Sequence, residues 1–402
     1  MNKAKKSTTG EIITFYSYKG GTGRTMALAN VACLLAQTAV DQERILMIDW
    51  DLEAPGLHQY FCGKFSDAKD KSENLPEGQL GLIDLFCEIM ARLDKEILDD
   101  IPDNFFDTLN FEQYLIDLKI DSLMLLPAGR FDDGLYSSRV NAFDWDVFFN
   151  NYPSVFSQFV KYLRKKFKFV LIDSRTGYTD ISGICTSLMP EKLVVVFTPN
   201  RQSLTGVVEL VRDATDYRKQ SDDLRPLIVF PLASRIENAE RELHEEWRFG
   251  SQHTGAGYQH QFELVFTDIY KLLDCDLTTY FDEVQLQYVP RYAFGEEIAV
   301  LSESSDERLS LARSFETFTK NLVENDGPWK KSKKSDNGML EKPRKTSTKK
   351  YDVFLSYSYT DIDEAKILGA FLRQKRLKVF LSGKALTVGN NWEAKVKQAL
   401  VV

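Results

Sequence analysis

The chain has 402 residues and a formal net charge of −8, with 43% hydrophobic and 27% charged residues. These values are typical of a globular protein with two or more domains and a large buried core. No apolar run is long enough for a membrane-spanning helix, and five widely spaced cysteines argue against a disulfide framework. The basic N-terminus leads into a strand rather than an apolar signal region, so we expect a cytoplasmic protein.

Apolar, β-branched runs alternate with helical stretches over most of the chain. The predicted strands are 12–17, 44–49, 123–127, 169–173, 193–198, 227–230 and 285–289. Runs without a clean polar alternation are typical of strands that are covered on both faces. The alternation with helices predicts a right-handed, doubly wound, mostly parallel α/β sheet, with its functional loops at the carboxyl ends of the strands.

The first predicted strand is followed by a glycine-rich loop, residues 18–25, which reads Y-K-G-G-T-G-R-T and leads into a helical stretch from Met26. Its glycines let the backbone approach an anion, and the helix N-terminus adds a positive dipole. A triphosphate also needs a long cation and a hydroxyl group for Mg²⁺, roles that Arg24 and Thr25 can fill. The sequence therefore predicts a nucleoside triphosphate site at residues 20–25.

The second predicted strand is followed by a long insertion, residues 58–121, which is rich in acidic and aromatic residues. Its apolar spacing predicts one or two helices that cap the sheet. Long insertions are also used for partner binding. Local packing is the favoured interpretation, and a partner-binding role stays open as the alternative.

Two of the predicted strands end in aspartates. Asp49 and Asp51 form a D-x-D pair at a strand end, where a carboxylate can orient the attacking water or a magnesium-bound water, and Asp49 either supports Asp51 or caps the strand end. Asp173 ends the strand at 169–173 and would hold Mg²⁺ through water. Arg175 either stabilises charge on the γ-phosphate or pairs with a nearby aspartate, and pairing is the favoured interpretation.

These motifs resemble those of the ParA/MinD family of dimerising SIMIBI-class P-loop ATPases. Residues 19–25 resemble its deviant Walker A motif K-G-G-x-G-K-[S/T], and residues 45–56 and 169–177 resemble its next two motifs. The resemblance covers about residues 10–300, although the fourth strand continues as Ser-Arg-Thr-Gly where the family commonly has x-P-A-G.

The resemblance implies an ATP- and Mg²⁺-dependent homodimer in which Lys19 reaches the partner's nucleotide. Arg24 stands where the family has its loop lysine, and because arginine is not interchangeable with lysine we expect ATP binding with slow hydrolysis. The implied catalytic residues are Lys19, Arg24 and Asp51, and the implied metal-binding residues are Thr25 and Asp173. The implied nucleotide-binding residues are Lys19, Gly20, Gly21, Thr22, Gly23, Arg24, Thr25, Met26 and Arg235. Arg235 would contact the base, or be a surface arginine, and residues 198–201 match the family's switch region loosely.

A basic segment, residues 325–350, separates a predicted ATPase domain, residues 1–324, from residues 351–402. Residues 330–350 contain nine Lys/Arg against two acidic residues and almost no apolar periodicity, which predicts a flexible linker. The same count leaves a charge of −18 on residues 1–329. Such an acidic domain repels a nucleic-acid backbone.

Residues 351–402 resemble the start of a TIR domain, in the order strand, helix, strand and loop, although a generic βαβ unit is the alternative. TIR domains assemble with one another or cleave NAD with a glutamate on a later helix. That glutamate has no counterpart before Val402, and Glu393 lies too early. We therefore expect an incomplete flavodoxin-like unit that is marginally stable unless it packs on a neighbour.

Together these features predict an ATP-dependent dimerising switch coupled to a TIR-like module, through TIR–TIR or other protein contacts. By family analogy its setting would be bacterial signalling or antiphage defence. The alternatives are an ATP-gated NAD hydrolase whose catalytic part is missing from this chain, and a ParA-like partition ATPase.

Overall fold

A computed structural model of the chain describes residues 9–40, 43–61, 75–96, 101–177, 183–221, 223, 225–237, 239–294, 296–304, 310–324, 327–329, 353–355, 362–374 and 379–381. Most of the predicted linker, the predicted loop at 389–392 and Glu393 after it lie outside these residues. Within the described part, no helix combines the length and the apolar character needed to cross a membrane.

A seven-stranded sheet in the order β3-β4-β2-β5-β1-β6-β7 forms the centre of the molecule. Its strands are Glu11–Tyr16 (β1), Ile45–Trp50 (β2), Ile116–Asp117 (β3), Leu123–Leu126 (β4), Phe169–Ser174 (β5), Lys192–Phe197 (β6) and Ile228–Ala233 (β7). Every neighbouring pair is parallel except β3 with β4 at one edge. The predicted mostly parallel sheet is confirmed, and the two-residue antiparallel edge strand is an addition that the sequence did not indicate.

The predicted strand at 285–289 is wrong. Gln287 forms an isolated parallel bridge with Ile236, and three backbone hydrogen bonds join residues 286–288 to residues 233–236. The backbone of Arg235 is left-handed, with φ of 56°, so the chain after β7 leaves the extended conformation that a longer ladder requires. Residues 285–289 are therefore an extended segment beside the end of β7.

Helices cover both faces of the sheet. They are Arg24–Thr38 (α1), Leu82–Glu96 (α2), Tyr136–Ala142 (α3), Trp145–Asn151 (α4), Ser154–Lys166 (α5), Arg201–Gln220 (α6), Arg241–Phe249 (α7), Tyr258–Ile269 (α8), Thr278–Glu283 (α9), Pro290–Phe294 (α10), Ala299–Ser302 (α11) and Leu311–Glu324 (α12). Successive strand residues enter opposite cores: Met47 belongs to the core with α1 and α6, whereas Ile48 and Trp50 belong to the core with α2 and α5. The sheet is thus buried on both faces, as its continuous apolar strands indicated.

The insertion at 58–121 supplies α2, whose apolar side chains are buried over the sheet. Phe86 of α2 lies 5.6 Å from Trp50 and 4.9 Å from Trp145, measured between ring centroids. The predicted capping helix is present, and its burial supports the local-packing interpretation. Residues 62–74 and 97–100 of the insertion lie outside the described residues.

The C-terminal part contains a second, separate pairing of strands. Val353–Leu355 (β10) pairs in parallel with Val379–Leu381 (β11), and the two are joined through helix α13, Ile362–Gln374. Helix α13 contacts α7 and a small antiparallel hairpin of Gly250–Ser251 (β8) and Gly255–Ala256 (β9). The strand–helix–strand order matches the prediction, and the TIR assignment stays a prediction.

Candidate functional site

The loop between β1 and α1 presents backbone donors at the carboxyl edge of the sheet. Gly21 and Gly23 have φ of 71° and 87°, left-handed conformations that glycine adopts without strain. Gly23 occupies the N-cap position of α1 and has no side chain with which to satisfy the first N–H groups of the helix. The loop and the helix N-terminus therefore form an anion-binding cradle.

Contacts from two other elements hold this loop in place. The Ser234 hydroxyl, at the end of β7, donates a 2.7 Å hydrogen bond to the Thr22 carbonyl. The ring of Tyr18 lies directly against Gly206 of α6, where a Cβ atom would come within 2.1 Å of the ring. Neither Ser234 nor Gly206 was among the predicted site residues. A glycine inside a helical pattern was the available signal for the second, because it marks a close approach.

We expect Gly206→Ala to weaken triphosphate binding by roughly tenfold, because the new methyl group displaces the Tyr18 ring and with it the loop. Gly183→Ala is the matched control, since a Cβ atom there meets no atom of the described residues within 4 Å. Titration of a fluorescent triphosphate analogue checks both variants. Equal affinities for the two would show that the Tyr18 contact does not position the loop.

A buried ion cluster lies beneath the loop. Arg24 Nε donates to Asp173 Oδ1 at 2.5 Å, and Arg24 Nη2 donates to Asp51 Oδ2 at 2.8 Å. The Thr25 hydroxyl donates to the second oxygen of Asp173 at 2.7 Å. Arg24, Asp51 and Asp173 are 6%, 7% and 1% exposed. The structure thus brings together four predicted site residues, but it places most of the Arg24 guanidinium on carboxylates rather than towards the loop.

The cluster holds more carboxylates than cations. Burial alone would lower the pKa of Arg24, but the charges of Asp173 and Asp51 outweigh burial and raise it. Burial raises the pKa of Asp173, although Arg24 and Thr25 oppose the shift. Burial and the neighbouring Asp173 raise the pKa of Asp49 well above its ordinary value. A second cation is therefore favoured at this position.

Asp49 has a structural explanation of its own. Its carboxylate accepts the backbone N–H of Leu57 at 3.1 Å and that of Asp51 at 3.3 Å. These bonds tie the end of β2 to the following 3₁₀ helix, Leu57–Phe61. Of the two interpretations left open by the sequence, the geometry matches the strand-end cap.

A cleft of about 360 Å³ opens above the cluster, within the size range of small-ligand sites. Its lining includes Gly20, Gly21, Thr22, Gly23, Arg24, Thr25, Met26, Asp51, Tyr60, Ser234, Arg235, Gln287, Tyr288 and Tyr292. Two buried polar atoms on this lining, Thr22 Oγ1 and Arg24 Nη1, have no hydrogen-bond partner among the residues that the structure describes. Because buried polar atoms are normally satisfied, the cleft is suited to a polar ligand.

The remaining predicted residues fall in different places. Lys19 is half-buried, lies outside the cleft lining and makes no ion pair with any described residue. Arg235 does line the cleft, with its guanidinium 5.8 Å from the Tyr288 ring. Arg175 forms an ion pair with Glu53, so the predicted pairing occurs with a glutamate instead of an aspartate.

Residues 198–201 have structural roles. Asn200 caps α6 by accepting the Ser203 N–H at 2.9 Å. Arg201 donates to the backbone carbonyl of His253. Neither side chain lines the cleft. The loose match of this stretch to switch or base contacts is therefore not supported by its position.

A parallel sheet whose first strand leads through a glycine loop to a helix, with a hydroxyl–aspartate pair beneath the loop, defines a P-loop protein. The chain is 22% identical over 236 residues to a ParA family protein of Mycoplasma genitalium, covering 58% of this chain and 74% of that protein. It is also 22% identical over 236 residues to a ParA family protein of Mycoplasma pneumoniae, covering 58% and 76%. The sequence similarity supports the predicted ParA/MinD-type P-loop ATPase fold.

Solved structures similar to the chain include the cell division ATPase MinD of Pyrococcus furiosus, at 18% identity and a TM-score of 0.46, covering 78% of this chain and 99% of that one. The septum site-determining protein MinD of Pyrococcus horikoshii, complexed with Mg-ADP, is 17% identical with a TM-score of 0.45, covering 78% and 96%. No protein-family model matches the chain.

Proposed function

We propose that the chain binds ATP with Mg²⁺ in the cleft and acts as a nucleotide-dependent switch whose output is its C-terminal TIR-like unit. The observation that carries the proposal is the Arg24 cluster. Arg24 joins Asp173 and Asp51, while its buried Nη1 atom has no acceptor within the described part of the chain. An anion at the loop supplies the missing acceptor.

The residues present fit Mg²⁺. Thr25 and Asp173 would hold the ion, since Mg²⁺ takes oxygen ligands, keeps several waters and uses few carboxylates. When bound, the ion neutralises negative charge on the phosphate oxygens. The excess of carboxylates over cations beneath the loop favours the same ion.

Hydrolysis by this site is expected to be slow. Asp51 is the proposed residue for orienting the attacking water, and its Oδ2 atom accepts a hydrogen bond from Arg24 at 2.8 Å. A guanidinium that occupies a lone pair of this oxygen leaves the carboxylate less free to turn towards a water. Arg24 thereby restrains Asp51, which suits a switch that keeps its nucleotide for long periods better than a rapid hydrolase.

Dimerisation through Lys19 is the proposed consequence of ATP binding. Lys19 directly precedes the cradle yet lies outside the cleft of its own chain, so its ammonium group is available to a second copy. We expect wild type to double its mass with ATP and Mg²⁺, and Lys19→Ala to remain monomeric while binding nucleotide.

Light scattering after size exclusion measures the mass, and titration of a fluorescent ATP analogue measures binding. Lys320→Ala is the control, because it removes an exposed lysine of α12 that is remote in sequence from the loop. ATP-induced dimers of Lys19→Ala would refute the role of Lys19. Absence of nucleotide binding by wild type would refute the proposed function as a whole.

A partition ATPase is the second candidate, favoured by the similarity to ParA family proteins. The charge of −18 on residues 1–329 opposes contact with DNA. DNA binding that persists after deletion of residues 330–350 would favour this candidate over the first.

A further inference from the structure

Helix α8 contacts both the residue that precedes the linking segment and the end of helix α13 in the C-terminal part. Trp329 packs beside α8, with its ring centroid 5.5 Å from that of Phe266 and 4.7 Å from that of Tyr270. Arg373 of α13 returns to the same helix, where its Nη1 atom lies 3.9 Å from a Glu263 oxygen and 3.5 Å from His260 Nδ1. The chain therefore leaves the sheet domain at α8 and comes back to it.

The contact that Arg373 makes is a weak one. Its Nη1 atom lies 3.9 Å from the Glu263 oxygen, its side chain is 36% exposed, and ion pairs that solvent reaches contribute little. Gly369 and Ala370, which share a helix face with Arg373, are buried but bring little apolar surface. Because only residues 330–352 connect Trp329 to β10, the contact is intramolecular, and a short tether can supply an effective concentration on the order of millimolar. A contact of this kind forms readily and is readily released.

The elements beneath α13 are joined to one another by the buried side chain of Arg248. Arg248 is 6% exposed and lies on α7. Its guanidinium donates to Gln259 Oε1 of α8 and to the Thr278 carbonyl of α9, both at 2.9 Å, and forms an ion pair with Asp282 at 2.7 Å. We call α7, the β8–β9 hairpin, α8 and α9 the docking block.

The docking block is connected to the rest of the chain by two stretches, and both line the nucleotide cleft. Ser234 and Arg235 precede the block, and Gln287 and Tyr288 follow it. Backbone hydrogen bonds fasten the two stretches together, from Leu286 N to the Ala233 carbonyl at 2.8 Å and from Tyr288 N to the Ile236 carbonyl at 2.9 Å. A ligand that shifts these stretches therefore acts on both chain connections of the block.

We propose that the docking block is a regulated docking surface for the chain's own C-terminal unit, and that nucleotide in the cleft changes its occupancy. The occupant is fixed by the observed contacts of α13 with α7 and the β8–β9 hairpin, and by the short tether. The coupling rests on the proposed nucleotide binding. Since coupling between two sites is reciprocal, docking changes the affinity for nucleotide by the same factor as nucleotide changes docking.

Hydrogen exchange of the full chain tests the proposal, with and without a non-hydrolysable ATP analogue and Mg²⁺. Arg373→Glu brings like charge to Glu263, so amide exchange in Gly250–Ala256 is expected to rise on the order of fivefold without nucleotide. The dissociation constant of the analogue is expected to differ from that of wild type by a similar factor. Lys320→Glu makes the same charge change on α12 and is expected to leave both quantities unchanged.

Each outcome decides a separate step. Unchanged exchange at Gly250–Ala256 in Arg373→Glu overturns the docking contact, whether or not nucleotide binds. The coupling is overturned if nucleotide binds to wild type without changing exchange at Gly250–Ala256, and Arg373→Glu binds it with the affinity of wild type. After this pair of results the ATP site still stands. If wild type binds no nucleotide, the proposed function fails together with the coupling, and the Arg373→Glu exchange alone decides the docking contact.

Discussion

Replacing Arg24 with methionine is expected to lower the free energy of unfolding by about 3–5 kcal/mol, because it removes one partner of a buried ion cluster and leaves its carboxylates uncompensated. Asp173 and Asp51 are both nearly inaccessible to water and both accept hydrogen bonds from Arg24. The same change removes the Nη1 donor, which has no partner among the described residues and belongs to a residue of the cleft lining, so affinity for ATP should fall as well. Denaturant titration monitored by tryptophan fluorescence measures the stability.

Arg212→Met is the matched control for this measurement. Arg212 pairs with Asp268 at 2.8 Å, but both side chains are exposed, and such a pair contributes about 0–1 kcal/mol. A loss of stability in Arg24→Met no larger than that in Arg212→Met would show that the buried cluster is not held by Arg24.

Arg24→Lys separates the charge of the residue from its shape. Lysine keeps the cation but lacks the planar fork that reaches Asp173 and Asp51 together. We expect its stability to lie between those of wild type and Arg24→Met. We also expect faster phosphate release than in wild type, because Asp51 is no longer held. Slower release would mean that the fork assists hydrolysis instead of restraining it.

The sequence predicted the position of Arg24 at the site but not the partners of its guanidinium. The position of Arg24 in the loop and its charge predicted a contact with phosphate. Both can be read from the local sequence alone. Its observed partner Asp173 lies 149 positions away. Parallel register places Asp173 beside Asp49 and Phe15, so the loop and both aspartates meet at one edge of the sheet. That these residues lie at one edge of the sheet was predictable from the strand pattern. Which of them the long, flexible Arg24 side chain binds depends on packing.

Ser234 and Gly206 were missed for the same reason, because their contacts with the loop are distant in sequence. Each supports the loop from an element more than 180 positions further along the chain. A serine at a strand end and a single helical glycine have ordinary local explanations. The segment at 285–289 was misassigned for a related reason. Its alternation of Gln with Leu, Tyr and Val is typical of a strand, but it pairs with the end of β7 at a single bridge.

The largest expected loss of core stability comes from Phe86→Ala, at about 3–5 kcal/mol, because a large buried ring is removed from a closely packed cluster. Phe86 is fully buried, and its aromatic neighbours are Trp50, Phe143, Trp145, Phe148, Phe156 and Phe159. Phe86→Leu retains most of the volume and is expected to cost less than about 1.5 kcal/mol. Denaturant unfolding of both variants measures the difference.

This prediction also connects the insertion to the nucleotide site. Trp50, which packs on Phe86, immediately precedes Asp51, the residue that accepts a hydrogen bond from Arg24. A cavity beside Trp50 should therefore loosen Asp51 and weaken ATP binding in Phe86→Ala more than in Phe86→Leu. A Phe86→Ala variant as stable as wild type would mean that α2 is not part of the core. The insertion at 58–121 would then be free for a partner, which is the alternative that the sequence left open.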